Sequence, residues 1–346
     1  MTQEKKLTIK EIASLAGTSK TTISFFLNGK FDKMSAETRE RIEKVIEETN
    51  YSPSVVARSL NAKSMKLIGV IIGDITNAFA NQIVKGIDEA AKEGKYQLIV
   101  GNTNYDIENE ENYVNRMLAM GVDGFIVQPT TSFHKLIKKI RSQNKEIVFI
   151  DSQTNVQNNP WVKTNNYEAV LETTEEMMKL GYEEFILLTA DPSILSTRQE
   201  RSQGFIDALA LNGKQCNMQI VSDNVTPAEI TEIISNNIML NRKTLIFAAN
   251  CWLLPIVYMG LKELRNLIPT TIGLLGFDNT EWTNVASPSV TTIVQPAYDE
   301  GYQAGRILID RIEGDYMEAP NQILKCNINW QESTCQGDLL WISFFS

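Results

Sequence analysis

Thr8-Ile9-Lys10-Glu11-Ile12-Ala13-Ser14-Leu15-Ala16-Gly17-Thr18-Ser19-Lys20-Thr21-Thr22-Ile23-Ser24-Phe25-Phe26-Leu27-Asn28 is the stretch that sets the reading of the whole chain. Thr8-x-x-Glu11 is a capping box, in which each side chain satisfies the other residue's free backbone N–H at a helix start. Ile9, Ile12, Ala13 and Ala16 then fall on one helical face, and Gly17 ends the helix. After Thr18 alone, Ser19 can cap a second helix, predicted over Lys20 to Asn28. Ile23 and Leu27 would face inward there, with Lys20, Thr21, Ser24 and Phe25 outward. Two short helices across a tight glycine turn make a helix-turn-helix, whose second helix fits a DNA major groove about 12 Å wide.

Working outward, a third helix is predicted from Ser35 through Thr38, Ile42, Val45 and Ile46 to Asn50, a residue tolerant of left-handed backbone. Pro53 sits where a first helical turn would start. The following Ser54 to Leu60 is amphipathic but too short to hold a helix alone. Polar residues from Asn61 to Lys66 mark a boundary. The expected organisation is therefore a helix-turn-helix domain over residues 1–52, a hinge helix and linker over 53–66, and a larger domain over 67–346.

That larger domain alternates short apolar runs with helical patterns. Leu67 to Ile72, Tyr96 to Val100, Gly124 to Val127 and Ile147 to Ile150 form one set of predicted strands. Phe185 to Thr189, Gln219 to Val221, Thr244 to Ala248 and Ile272 to Gly276 form another, with Ala169 to Leu180 and Arg198 to Leu211 as intervening helices. The rhythm predicts an all-α headpiece joined to an α/β core of two doubly wound parallel-sheet lobes. The lobe bounds are read as about 67–164 with 297–327, and 165–296 with 328–346. Open α/β sheets take ligands beyond the carboxyl ends of their strands, so a cleft between two such lobes is the expected binding site.

Charge separates the two parts. Residues 1–66 carry a net +4, whereas the rest carries −13 within a total of −9. A basic module on an acidic body suits a polyanion at one end only. The start, Met1-Thr2-Gln3-Glu4-Lys5-Lys6, lacks a signal-type apolar region, and no apolar run approaches the roughly 18 residues that span a bilayer. A cytoplasmic location with no membrane partner is expected. Cys216, Cys251, Cys326 and Cys335 lack CxxC spacing, so free thiols are expected and no disulfide framework or zinc site. A single histidine, His134, in a polar stretch disfavours a catalytic triad. With no GxxxxGK[ST], GxSxG or HExxH motif, neither an enzyme nor a cofactor is expected. A transport-type sugar-binding protein would have an export signal and no helix-turn-helix.

These strings, over nearly the whole chain, resemble the LacI/GalR family of bacterial regulators. The signature from Thr8 to Ser24 and the hinge Asn50-Tyr51-Ser52-Pro53 with Ala57-Arg58-Ser59-Leu60 carry the likeness. So do Asp74-Ile-Thr-Asn77-Ala-Phe79, Gly121-Val-Asp123-Gly124, Arg201-Ser-Gln-Gly204-Phe205, Asn250 and Gly276-Phe277-Asp278-Asn279. The resemblance implies a periplasmic-binding-protein-like body and a homodimer on palindromic operator DNA. It also implies a sugar or sugar-acid effector in the cleft that switches operator affinity. Repression of carbohydrate-utilisation genes is the expected role; control by a phosphorylated carrier protein is the alternative.

Residue by residue, the resemblance implies that Thr8, Ser19, Thr22, Ser24 and Asn28 contact phosphates, and that Lys20, Thr21 and Phe25 reach base edges. Tyr51, Ala57 and Leu60 would serve the hinge, with Leu60 a minor-groove wedge. Phe79, Asp151, Arg201, Asn250 and Asp278 would hold the effector, and the metal and catalytic sets are empty. Two departures stand out. Phe25 replaces an arginine frequent in relatives, which changes the expected half-site, and Cys251 follows Asn250 where relatives continue with Asp. Trp252 and Trp282 are candidates for an aromatic wall, for core or for a dimer surface. Gly276-Phe-Asp-Asn-Thr-Glu-Trp282 and Ser24 to Phe31 look most like the ketodeoxygluconate-type regulators, which implies an acidic sugar derivative. The apolar tail from Gln336 to Ser346 is expected to pack against the body.

Overall fold

The headpiece folds as its caps dictate. In a computed structural model, which describes residues 7–27, 29–51, 64–152, 159–239, 241–316 and 321–334, α1 (Ile9–Leu15) begins with the complete Thr8/Glu11 capping box. Gly17 takes φ +59° to turn the chain. Ser19 Oγ accepts the Thr22 N–H at 3.1 Å and starts α2 (Lys20–Leu27). Ser35 caps α3 (Ala36–Thr49), and Asn50 ends it at φ 46°. Ile12, Ile23 and Ile42, one from each helix, are fully buried against one another, joined by Ala13 and Ala16. Asn28, Ala57, Leu60, Cys335, the expected hinge helix from 53 to 60 and the tail from 336 onward lie outside the described residues.

The chain divides into two compact units, Met1–Met65 and Lys66–Ser346. In the second, β1 (Leu67–Ile72), β2 (Gln97–Asn102), β3 (Gly124–Val127), β4 (Glu146–Ile150), β5 (Trp161–Thr164) and β11 (Gln322–Leu324) form a parallel sheet in the order β11-β5-β4-β3-β1-β2. Helices α4 (Ala78–Glu93) and α12 (Ala297–Glu313) cover one face, and α5 (Ile107–Met120) and α6 (His134–Ser142) the other. Alternation within β1 explains the layering. Ile68, Val70 and Ile72 pack under α4 and α12, while Ile71 joins Phe125 and Val127 beneath α5 and α6. Burial on both faces is why β1 reads as an almost unbroken apolar run.

The second lobe repeats the plan with β6 (Glu184–Thr189), β7 (Asn217–Ile220), β8 (Thr244–Ala248), β9 (Ile272–Phe277), β10 (Thr291–Val294) and β12 (Asn327–Asn329), ordered β12-β10-β9-β8-β6-β7. Helices α7 (Asn166–Lys179) and α8 (Ser196–Leu211) cover one face; α9 (Pro227–Asn237) and α10 (Leu253–Gly260) cover the other, and the single turn α11 (Thr280–Thr283) follows β9. The sheet is not wholly parallel, because β12 returns antiparallel beside β10. Three residues long and polar, β12 closes that edge without offering a template for further pairing. Among the described residues the backbone passes between the sheets three times, at 164–166, 294–297 and 324–327. No described helix is long and apolar enough to cross a membrane.

Candidate functional site

On the headpiece, Lys20 and Thr21 are exposed at the start of α2, and Ser24 and Phe25 are half-buried. The paired phenylalanines separate by role. Phe26 packs into the three-helix core and meets Phe31 edge-on at 5.7 Å, whereas Phe25 is not part of that cluster. Ser19 and Thr22 share a 2.9 Å hydroxyl bond, and Thr8 is held in its capping box, so these hydroxyls fix helix starts and keep further lone pairs for other donors. Tyr51 packs against the headpiece core.

Between the lobes lies a narrow cleft, and Phe79, Asp151, Arg201, Asn250 and Asp278 all line it. Asp151 and Asp278 follow β4 and β9 at the carboxyl ends of the two sheets, both with left-handed backbone, φ 59° and 55°. Arg201 projects from the second turn of α8. Its Nε donates to Asn166 Oδ1 at 2.7 Å and its Nη1 to the Ala249 carbonyl at 3.1 Å, with the guanidinium carbon 3.7 Å from the centre of the Phe277 ring. From Asn166 a line of bonds runs to Thr164 (3.1 Å), on to Gln295 (2.7 Å), and through the Gln295 amide to Asp278 Oδ2 (2.7 Å). Arg201 and Asp278 are thus fixed relative to each other before any ligand arrives, which is what preorganisation requires. Asn250 is anchored too, its Oδ1 accepting the Ala190 N–H at 2.8 Å.

On the other wall Gln128 donates to Asp151 Oδ2 at 2.7 Å, while Asp151 Oδ1 is buried with no hydrogen-bond partner among the described residues. Glu300, in the first turn of α12 and fully buried, accepts the Asp151 backbone N–H. Burial pushes the Glu300 carboxyl well above the usual carboxylate range, with Asp151 adding to it. Burial also raises Asp151, against the pull of Arg201. Cys251 Sγ accepts from Asn77 Nδ2 at 2.9 Å, a bond that crosses from one lobe to the other; burial holds the thiol up at about 11, so it stays protonated. Trp252 and Trp282 are both half-buried against the second lobe's core; Trp252 also lines the cleft, while Trp282 meets Tyr258, 5.4 Å between ring centres. Among the described residues no cluster of His, Cys, Asp or Glu could hold a metal ion.

Asp278 makes the cleft's charge testable by pH. Burial lifts its carboxyl from 3.8 to about 6, with Arg201 the chief opposing influence. The folded state therefore holds the proton more tightly than the unfolded chain. The resulting stability is complete below pH 3.8 and is lost as pH rises through 6. Relative to Asp278→Asn, the wild type should lose about 1 kcal/mol between pH 5 and pH 7. Thermal melts of both proteins across that interval check this, and parallel pH curves would refute it.

Several residues that shape the cleft were not singled out by the sequence reading. Arg198 stands three positions before Arg201, which puts both on one helical face; that spacing was an available signal. Gln128 follows β3, where strand-end reasoning could have found it. Glu300 gave no signal, since it reaches Asp151 across 149 residues of chain.

Comparison with known proteins bears on both units. The model of bacterial regulatory proteins of the lacI family matches residues 8–54, and that of the periplasmic binding protein domain matches residues 68–315. The HTH-type transcriptional regulator KdgR of Bacillus subtilis (strain 168) is 32% identical over 89% of this chain and 92% of its own length. The probable HTH-type transcriptional regulator EndR of Paenibacillus polymyxa is 31% identical over 94% and 98%. In fold, the chain is similar to a lac repressor dimer bound to operator and the anti-inducer ONPF, at a TM-score of 0.82, 23% identity, and 96% and 100% coverage.

Proposed function

Because the chain belongs to the lacI family of bacterial regulatory proteins, DNA-binding transcriptional regulators and not enzymes, we propose that it represses carbohydrate-utilisation genes and is switched by a sugar or sugar acid. It acts in the cytoplasm as a homodimer on a palindromic operator, and the two-fold symmetry of the dimer matches that of the DNA. The observation that carries the effector reading is the meeting of Asp151, Arg201 and Asp278 in one interlobe cleft. Carboxylates accept from sugar hydroxyls, and the guanidinium fork donates to paired oxygens. Phe79, 6% exposed, supplies an apolar surface for a ring face, and Asn250 a further polar edge.

On the headpiece, Lys20 and Thr21 read bases beside Phe25, while Thr8, Ser19, Thr22, Ser24 and Asn28 set register on the phosphates. An apolar Phe25 gives a thymine methyl a partner and offers guanine no donor. Tyr51, Ala57 and Leu60 carry the effector signal towards the DNA. The test is fluorescence anisotropy of the full chain on DNA selected by it from a random pool, titrated with neutral sugars and sugar acids. One of those classes should change operator affinity at least about tenfold, or about 1.4 kcal/mol. Tight, salt-dependent DNA binding that none of them alters would reject the effector reading and leave the DNA-binding one standing.

A further inference from the structure

Helix α3 carries Glu37, Glu40, Glu43, Glu47 and Glu48, and two of its three cations are paired within it: Arg41 with Glu37 at 3.9 Å and Lys44 with Glu48 at 3.8 Å. Arg39 is the exception. Glu43 stands one turn further on, at the spacing where such pairs form. Yet among the described residues no carboxylate lies in ion-pair contact with Arg39, and its guanidinium donates no hydrogen bond to them. It lies over the Phe31 ring, with the guanidinium carbon 4.1 Å from the ring centre. Phe31 is 40% exposed, more than a side chain kept only for the core would be. The segment that bears it is folded back on the end of α2. The Gly29 N–H donates to the Phe26 carbonyl at 3.0 Å and the Lys30 N–H to the Phe25 carbonyl at 2.9 Å. The Phe31 ring meets Phe26 edge-on, and Phe31–Lys33 makes one 3-10 turn. Lys30 and Lys33 are exposed beside it, where the one carboxylate of residues 29–34, Asp32, stands 3.4 Å from Lys33 Nζ.

We propose that Arg39 grips a phosphate of the DNA strand flanking the groove that α2 enters, and that Phe31 is the positioning residue that holds it there. A helix with its side chains is about 10 to 12 Å across and fills a major groove about 12 Å wide, so groups beside it meet the strands' backbone. Thr8, Ser19 and Thr22 stand near the start of α2; Arg39 supplies a cation near its other end. Stacking occupies the face of the guanidinium and leaves its edge of N–H donors for two phosphate oxygens. It also restrains a long side chain before DNA arrives, so less conformational freedom is lost on binding. The glutamates explain why the ring is needed. Without it Arg39 would turn to Glu43, and a phosphate would have to compete with that carboxylate. The contact fixes register and carries no sequence information. It rests on the reading of α2 as the groove-entering helix and is independent of the effector.

Fluorescence anisotropy of the full chain tests this on the duplex it selects from a random pool and on an unrelated duplex, between about 50 and 200 mM KCl. Arg39→Met should weaken binding to both by a similar factor, about fivefold to tenfold. It should also reduce the steepness of log K against log salt by about 0.9 for each protomer on the DNA. Arg39→Lys keeps the charge and should restore the slope but only part of the affinity, since an ammonium cannot fork. Phe31→Ala should weaken both duplexes about threefold, and should have no further effect in an Arg39→Met background. Arg41→Met, which removes the arginine paired with Glu37, should leave the slope unchanged. An Arg39 kept only to steady the headpiece would lower the folded fraction, and so the affinity, with the slope intact. An unchanged slope in Arg39→Met, a loss confined to the selected duplex, an equal slope change in Arg41→Met, or additive effects of Phe31→Ala and Arg39→Met would each overturn the proposal while leaving DNA binding by α2 standing. Wild-type binding to neither duplex would remove the proposal and the reading of α2 together.

Discussion

Arg201→Ala is expected to weaken effector binding at least about 100-fold, equivalent to about 2.7 kcal/mol. Three losses add up. The guanidinium fork facing the cleft disappears, and with it the donors best matched to paired oxygens. Asn166 Oδ1 and the Ala249 carbonyl lose buried donors, which loosens the bonds running through Thr164 and Gln295 to Asp278. Asp151 and Asp278 also lose the cation that holds their carboxyls down, so both move further towards the protonated form and become weaker acceptors. Arg201→Lys keeps the charge but cannot fork, and should recover no more than about tenfold. Calorimetric titration measures the effect, and operator binding assayed on the same preparation separates a lost pocket from a misfolded protein. A wild-type dissociation constant in Arg201→Ala would remove Arg201 from the effector site.

The second large effect lies outside the cleft. Where α4 crosses α12, a Cβ at Gly301 would stand 2.0 Å from the Ile83 carbonyl oxygen, and one at Gly86 equally close to that of Tyr298. These neighbours are backbone, so no side chain can swing aside, and the helices must part. Gly301→Ala is expected to destabilise the protein by roughly 3 kcal/mol, the upper end of overpacking costs, even after alanine's helix-propensity gain of about 1 kcal/mol. For a unit of this size that is a fall of about 5 °C in melting temperature. Gly213 is the control: it has φ +65° and open space around its Cβ position, so alanine there meets backbone strain of only about 1 kcal/mol. If Gly301→Ala melts no lower than Gly213→Ala, the close crossing is not what sets stability. Glu300 adjoins Gly301 and holds the Asp151 N–H, so the same substitution should also weaken effector binding.

How far the sequence led can be judged at particular residues. Thr8, Ser19, Ser35 and Asn50 announced helix ends because capping is local chemistry, written within three or four positions. The eight predicted strands appeared within a few residues of their places, the inner ones because buried parallel strands leave nearly unbroken apolar runs. Short or polar β5, β10, β11 and β12 left no such trace. Their pairing depends on where the chain returns after crossing lobes, and the antiparallel β12 follows from that path and not from its composition. Likewise Phe79, Asp151, Arg201, Asn250 and Asp278 come together as a set. Glu300, and the Asn77 amide that meets Cys251, act through distances the sequence does not encode locally. Of the two tryptophans, both packed against the second lobe's core, only the fold could show that Trp252 also reaches the cleft.

The three backbone passages between the lobes have a mechanical meaning. Thr164 and Asn166 lie on the first and Gln295 on the second, while Asn165 Oδ1 accepts the Cys326 N–H of the third at 2.7 Å. Three neighbouring passages form the fulcrum about which any turning of one lobe on the other would have to take place. The side chains that tie Arg201 to Asp278 are mounted on that fulcrum, where the lever arm is shortest. A sub-ångström adjustment there is multiplied at the far rims in proportion to radius, so a small molecule gripping only a few atoms can command a large displacement.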